Sequence, residues 1–373
     1  MTKSVVILPL ALCASIALIG MIGCNALFIS SNSPLAPPGV GAAADVYHAF
    51  GDSITYGATL SDPATQAYPA LVQAYEGIAT DNFSKFARSG DQACDIPTQQ
   101  IFPNSDDPAT SPHHVSSVLI GTNDADVKGV GAYESVFLLC HQAAIAWLAI
   151  PASKKILASS SAVTAIGSGA LDASNHWNAW VTEARGASVS FRITSTQIGP
   201  IYAWVRISDT SPATYSYALD GMMMGSAAAQ TTPHIATQNG TSDSLSLLRL
   251  ANVPAGTHTV TFTQTNNGSS GVGVLGIAVP SGTATGQMPT VLVGTVPYQL
   301  RGGTGPCSYN DAPCQQYIAD IEADVNLFAG DGLDVRLFDT RKYMLGTTNE
   351  MADSLHPNSL GQIELSHAVE SAW

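Results

Sequence analysis

Two textures share this chain, and the second interrupts the first. From Asp45, short apolar strands alternate with helical stretches. Val46 to Phe50 predicts a strand ending at Gly51-Asp52-Ser53, Tyr68 to Gly77 has the apolar spacing of a helix, and Val115 to Ile120 predicts a strand running into Gly121-Thr122-Asn123-Asp124. Tyr133 to Ile150 predicts a long apolar helix stopped by Pro151. Between Lys155 and Met288 helix periodicity vanishes. Short alternating runs such as Ala187 to Thr194, Ile201 to Ile207 and Thr257 to Gln264 lie there between Gly, Ser, Asn and Pro turns. The first texture then returns, with strands over Val291 to Val296 and Val335 to Phe338 and helices over Gln315 to Phe328 and Ile363 to Ser371. Strand–helix alternation implies a parallel sheet covered on both faces, whereas regularly spaced short strands imply a sandwich. The expectation is a three-layer α/β/α parallel-sheet domain in two parts, 45–154 and 289–373, interrupted by an all-β sandwich insert at 155–288. Two domains in series would leave the parallel sheet without half of its strands.

The residues before Asp45 are set apart from this fold. Lys3 supplies a positive start, Val5 to Ile22 is almost unbroken apolar sequence, and Met21-Ile22-Gly23-Cys24 resembles the lipobox of bacterial lipoproteins, in which the cysteine becomes the lipidated first residue. Residues 1–24 are therefore expected to be a leader and 25–44, rich in Ser, Pro, Gly and Ala, a tether. The protein is expected to be exported, either anchored through Cys24 at the periplasmic or cell surface or simply secreted. An uncleaved anchor is the third reading, because the apolar run approaches the ~20 residues of a bilayer span. Export leaves Cys94, Cys140, Cys307 and Cys314 in an oxidising compartment, where the economical pairing is Cys94 with Cys140 and Cys307 with Cys314; free buried thiols are the competing reading. Lys plus Arg number 14 against 28 for Asp plus Glu, a net charge of -14. That field repels phosphate backbones and anionic lipid, and no basic run offsets it, so nucleic-acid partners are excluded and neutral substrates favoured.

Four separated pieces carry chemistry. Ser53 sits at a strand end, where a side chain can project over the carboxyl edge of a sheet, but its hydroxyl needs a base, and a serine there also suits a helix N-cap. Thr55 stands where the nucleophile elbow of common α/β-hydrolases needs glycine. Asp353-Ser354-Leu355-His356 spaces a carboxylate and an imidazole so that one turn brings them together; the competing reading makes Asp353 the cap of the last helix. Asn123 at a strand end offers an amide to a developing oxyanion, with Asp124 fixing its loop, although Asn and Asp are also ordinary turn residues. Gly90 in Ser89-Gly90-Asp91 offers an unobstructed backbone N–H. No CxxC pair or His cluster has metal-ligand spacing, and no cofactor is expected.

The order GDSxT, a mid-loop Gly, GxND after a strand and DxxH near the end resembles the SGNH (GDSL-like) hydrolases, over Asp45 to Ile150 and Pro289 to Trp373. The resemblance implies a serine esterase with the triad Ser53, His356 and Asp353, an oxyanion hole from the Ser53 N–H, the Gly90 N–H and the Asn123 amide, and an SGNH hydrolase fold around the insert. Ile54 replaces the leucine of the commonest GDSL spelling. The insert resembles the carbohydrate-binding β-sandwiches attached to some members of that family. Trp177, Trp180, Tyr202 and Trp204 would then stack on sugars, against the commoner use of such aromatics as core. Met222-Met223-Met224 reads as a turn or edge filler, His113 and His114 have no evident partners, and His141 reads as a packing residue. The expected activity is hydrolysis of carboxylic esters, with carbohydrate deacetylation preferred over a lipase-like or general short-chain esterase. A glycan-binding surface lipoprotein with an inactive hydrolase half is the reading from another class.

Overall fold

The computed structural model describes residues 46–104, 114–128, 132–172, 178–208, 213–228, 243–268, 271–282, 288–308 and 312–373. The expected leader and tether, Cys24, His113 and Trp177 lie outside the described residues.

Strands β1 (Val46–Gly51), β2 (Phe83–Lys85), β3 (His114–Leu119), β15 (Thr290–Gly294) and β16 (Asp334–Phe338) form a wholly parallel sheet in the order β16-β15-β3-β1-β2. β3 is buried throughout and β15 nearly so, as a strand covered on both faces must be. On one face Phe50, Val118, Val291 and Val293 share a core with helices α5 (Ala132–Ala149) and α6 (Ala312–Gly330). On the other, Ala49, Leu119, Leu292 and Phe338 pack with α3 (Tyr68–Tyr75) and α8 (Ser359–Glu370). The short helices α2 (Pro63–Gln66) and α7 (Thr340–Tyr343) lie in connections. From β1 the chain steps to β2 on one side, and β3 then lies on the other. The connections leaving the carboxyl ends of β1 and β3 therefore part, opening the crevice in which sheets of this kind hold ligands.

Between β3 and β15 the strands are antiparallel. β5 (Val163–Ile166), β8 (Ser188–Ser195), β10 (Thr214–Leu219), β11 (Met222–Ala228) and β13 (Gly256–Gln264) make one sheet, in the order β11-β10-β13-β8-β5. β6 (Gly169–Asp172), β7 (Ala179–Thr182), β9 (Gly199–Ser208), β12 (Asp243–Val253) and β14 (Gly273–Ala278) make a second, in the order β12-β9-β14-β7-β6, with β4 (Lys155–Leu157) also paired to β14. Val189, Phe191, Val260 and Phe262 of the first sheet meet Ile201, Ala203, Val205 and Ile277 of the second in one core. Met222, Met223 and Met224 begin the edge strand β11, and the first two are 70% and 71% exposed.

Where β9 and β12 lie against α5 the second sheet is buried on its other face as well, and for two of the four aromatics the core reading holds and sugar stacking does not. Tyr202 and Trp204 are fully buried, and Trp204 packs edge-on against Trp147 of α5 at 5.0 Å while its indole N–H donates to the Ala143 carbonyl at 3.0 Å. Asp331, just beyond α6, accepts from the Tyr202 hydroxyl and from Arg249 Nε at 2.6 Å. Ser244 donates to the Cys94 carbonyl at 2.8 Å. Trp180 is half-buried. The sandwich is thus fused to the parallel-sheet region through α5 and shares its core rather than hanging from a linker.

Such sharing predicts cooperative unfolding. Denaturant titration followed by tryptophan fluorescence and by far-UV circular dichroism should give one coincident transition, and Trp204→Ala should lower stability by about 3–5 kcal/mol. Two separate transitions in the unsubstituted protein would contradict a shared core.

Candidate active site

The turn after β1 is set by packing. A Cβ on Gly51 would lie 2.2 Å from Thr55 Oγ1 and 2.4 Å from the Leu119 carbonyl, so only glycine lets β1 end this close to β3. Thr55 is buried and bonds the Tyr68 hydroxyl at 3.2 Å. Asp52, not Ser53, caps the following short helix α1 (Ser53–Tyr56), its carboxylate accepting from the Ile54 N–H at 2.8 Å. The Ser53 hydroxyl is thereby left for another partner. It lies 3.0 Å from His356 Nε2, and His356 Nδ1 lies 2.9 Å from Asp353 Oδ2.

Local bonds hold that pair in register. Asp353 Oδ1 accepts from the Leu355 and His356 N–H groups at 2.8 and 2.7 Å, which turns the other oxygen toward the ring. Asn358 caps α8, accepting from Leu360 and Gly361, so the alternative in which Asp353 caps the last helix does not hold. The Ser354 carbonyl accepts from Leu300 N–H at 3.0 Å. Gln299 next to it exchanges two bonds with Cys307, whose disulfide to Cys314 closes that loop. Burial alone would raise the Asp353 carboxyl, but the His356 backbone and ring and the Leu355 N–H outweigh it and hold it below the ordinary carboxylate value. An ionised Asp353 fixes the His356 tautomer with the proton on Nδ1, leaving Nε2 to accept from Ser53.

The other two sequence-predicted residues lie on neighbouring loops. Asn123 is in the first turn of α4 (Thr122–Lys128), at the carboxyl end of β3, and its amide donates to the Asp91 carbonyl at 2.8 Å. Gly90 precedes Asp91 with φ +87°, a conformation that suits glycine. Asp124 accepts from Ala93 N–H at 3.2 and 3.3 Å, so the α4 turn and the 90–93 loop are bonded twice. The Cys94–Cys140 disulfide ties that loop to α5. His114 is the first residue of β3, packed edge-on against His48 at 4.6 Å, and His141 is buried with Nδ1 2.7 Å from Asp324. Gln362 was missed by sequence reasoning: it accepts from Tyr68 N–H at 2.8 Å and donates to the Ile54 carbonyl at 3.0 Å, binding α8 to α3 and to the turn bearing Ser53.

Buried carboxyls underlie the site. Burial pushes Asp52 up to about 7, opposed by the Ile54 N–H and the His356 charge and assisted by Asp91. Burial likewise pushes Asp124 up to about 8, opposed by the Ala93 N–H and assisted by Asp95 and Asp52. Each keeps its proton in the folded chain at pH values where the unfolded chain has lost it. Unfolding then releases protons, and stability falls as pH rises from the ordinary carboxylate value toward about 8. Asp124→Asn retains an acceptor for Ala93 but cannot titrate, so its Tm should decline less steeply between pH 5 and 8 than that of the unsubstituted protein. Parallel slopes would contradict this assignment.

No family model matches the chain, and none of the curated proteins matches it. Among solved structures it is similar to a two-domain esterase active on acetylated mannans, at 12% identity over 64% of this chain and 91% of that one, with a TM-score of 0.36. It is also similar to a family 35 carbohydrate-binding module from Clostridium thermocellum, at 15% identity over 34% of this chain and 98% of that one, TM-score 0.28. A third is a family 35 module from an environmental isolate, at 16% identity over 35% and 93%, TM-score 0.27. Likenesses at these scores carry no weight for fold or activity.

Proposed function

We propose that this protein is an exported serine esterase of the SGNH type, cleaving carboxylic esters of neutral substrates, with an acetylated carbohydrate as the preferred class. The observation that carries the reading is the continuous hydrogen-bonded line from Ser53 Oγ through the His356 ring to Asp353. Ser53 Oγ attacks the ester carbonyl while His356 Nε2 takes its proton, and Asp353 steadies the imidazolium. The oxyanion is received by the Ser53 and Gly90 N–H groups and by the Asn123 amide. That amide has two N–H bonds, and only one is needed for the Asp91 carbonyl. Collapse expels the alcohol, which takes the proton from His356; water, activated by the same ring, then releases the acid. Two disulfides support a life in an oxidising compartment, and no described helix is long and apolar enough to cross a membrane.

The net charge of -14 favours an uncharged ester over an anionic lipid surface. Glycan binding by the insert would have to use surfaces other than the buried Tyr202 and Trp204.

On an activated acetyl ester, Ser53→Ala should abolish turnover while the circular dichroism spectrum and Tm stay close to those of the parent. Unchanged turnover would reject Ser53 as nucleophile. Asn123→Ala should lower kcat by ~10²–10³, and parental rates would remove Asn123 from the oxyanion hole. A chain-length series of esters beside acetylated glycans tests the substrate class: faster cleavage of long acyl chains than of acetylated glycans would favour the lipase-like alternative.

A further inference from the structure

Beside the triad lies a fully buried glutamine that no motif marks. Gln100 belongs to a π-helical turn, Ile96–Ile101, and its carboxamide uses both ends. Oε1 accepts from the Gly51 N–H at 3.0 Å, and Nε2 donates to the Gly51 carbonyl at 2.7 Å. A primary amide has the same donor and acceptor as a peptide group, so this side chain pairs with the last residue of β1 as a neighbouring strand would. It does so beyond Ala49 opposite Lys85, the last register pair of β1 with β2, and shares the Gly51 carbonyl with the Arg88 N–H, which donates to it at 3.2 Å. The second Nε2 hydrogen goes to Asp91 Oδ2 at 2.8 Å. Asp91 is itself fully buried, and its backbone carbonyl is the acceptor for the Asn123 amide.

One side chain therefore bridges two segments that must keep a fixed separation. On one side is Gly51, two residues before Ser53. On the other is the loop that carries Gly90 and holds Asn123. The carboxamide cannot be turned over, because its oxygen would then face the Gly51 carbonyl and the Asp91 carboxyl, and its NH₂ would face an N–H. We propose that Gln100 is a positioning residue of the esterase reaction, setting the distance between the Ser53 nucleophile and the oxyanion donors. This rests on the esterase reading above. A shift of the donors by a fraction of the reacting distance weakens binding of the tetrahedral oxyanion more than binding of the planar ester, so the loss falls on kcat and not on KM.

The experiment compares the full-length protein with Gln100→Glu and Gln100→Met, on an activated acetyl ester from pH 5 to 8. Glutamate keeps the acceptor for Gly51 but loses both donors when ionised, and regains one when protonated. Methionine has neither donor nor acceptor at any pH. Both variants should lose kcat by roughly 10- to 100-fold at pH 8 with KM within about twofold. The ratio of variant to parental kcat should rise toward low pH for Gln100→Glu and stay flat for Gln100→Met. A purely structural glutamine would give no such difference between the two pH profiles. Parental kcat in either variant, equal profiles, or variants that do not fold would overturn the positioning role. If the parent itself hydrolyses no ester, the esterase reading fails; if the parent is active and the variants match it, only the role of Gln100 fails.

Discussion

Gly51 has no room for a side chain, and that lack of room brings the parts of the site together. Its backbone lies against Thr55 Oγ1 and the Leu119 carbonyl, where a Cβ would sit at 2.2 and 2.4 Å. β1 therefore ends pressed against β3, and the turn that follows lifts Ser53 above the sheet edge with Asp52 as its cap. Because β2 and β3 flank β1 on opposite sides, the loops after all three open onto the same crevice. Asn123 comes from the β3 side and Asp91 from the β2 side, and a single amide–carbonyl bond joins them. Asp353 and His356 arrive from the far end of the chain, on a turn held by the loop that the Cys307–Cys314 disulfide closes.

The β-sandwich is part of the same mechanical body. Its second sheet has no solvent face where α5 lies: Trp204, Tyr202, Leu245 and Leu247 are continuous with the core of the parallel-sheet region. α5 is also the helix to which the Cys94–Cys140 disulfide fastens the loop after Gly90. Cys94 adds a bond to the sandwich through its carbonyl and Ser244. One helix thus carries the sandwich on one side and steadies the 90–94 loop on the other. The sandwich holds a fixed orientation relative to Ser53, which a linker-borne module would not have.

What the sequence could convey follows from the range of each interaction. The Asp353–His356 pair is legible because three residues of one turn suffice to join it, and Ser53 and Asn123 are legible because each follows a strong strand pattern. Short apolar runs also marked the parallel strands, and alternation of apolar residues the antiparallel ones. β2 is three residues long and too short to leave a period. Gln100 and Gln362 left no signal, because a glutamine in a helix has no pattern of its own. Their bonds cross 49 residues to Gly51 and 308 residues to Ile54. Tyr202 and Trp204 look the same in sequence whether a strand faces solvent or a helix, so stacking and core could not be separated until α5 was seen against them. The sequence offered Asp353 as a cap for the last helix, but Asn358, nearer the helix start, takes that place.

In the proposed reaction the Ser53 hydroxyl is activated through His356 for attack on an acyl carbon. The most direct measurement is intact-mass and peptide mass spectrometry after exposure to a phosphonate ester with an activated leaving group, which traps a serine nucleophile in a tetrahedral adduct. One phosphonyl group per chain is expected, on the peptide bearing Ser53, with strongly slowed labelling in His356→Ala. An unlabelled chain, labelling at another serine, or equal labelling without His356 would contradict that reaction.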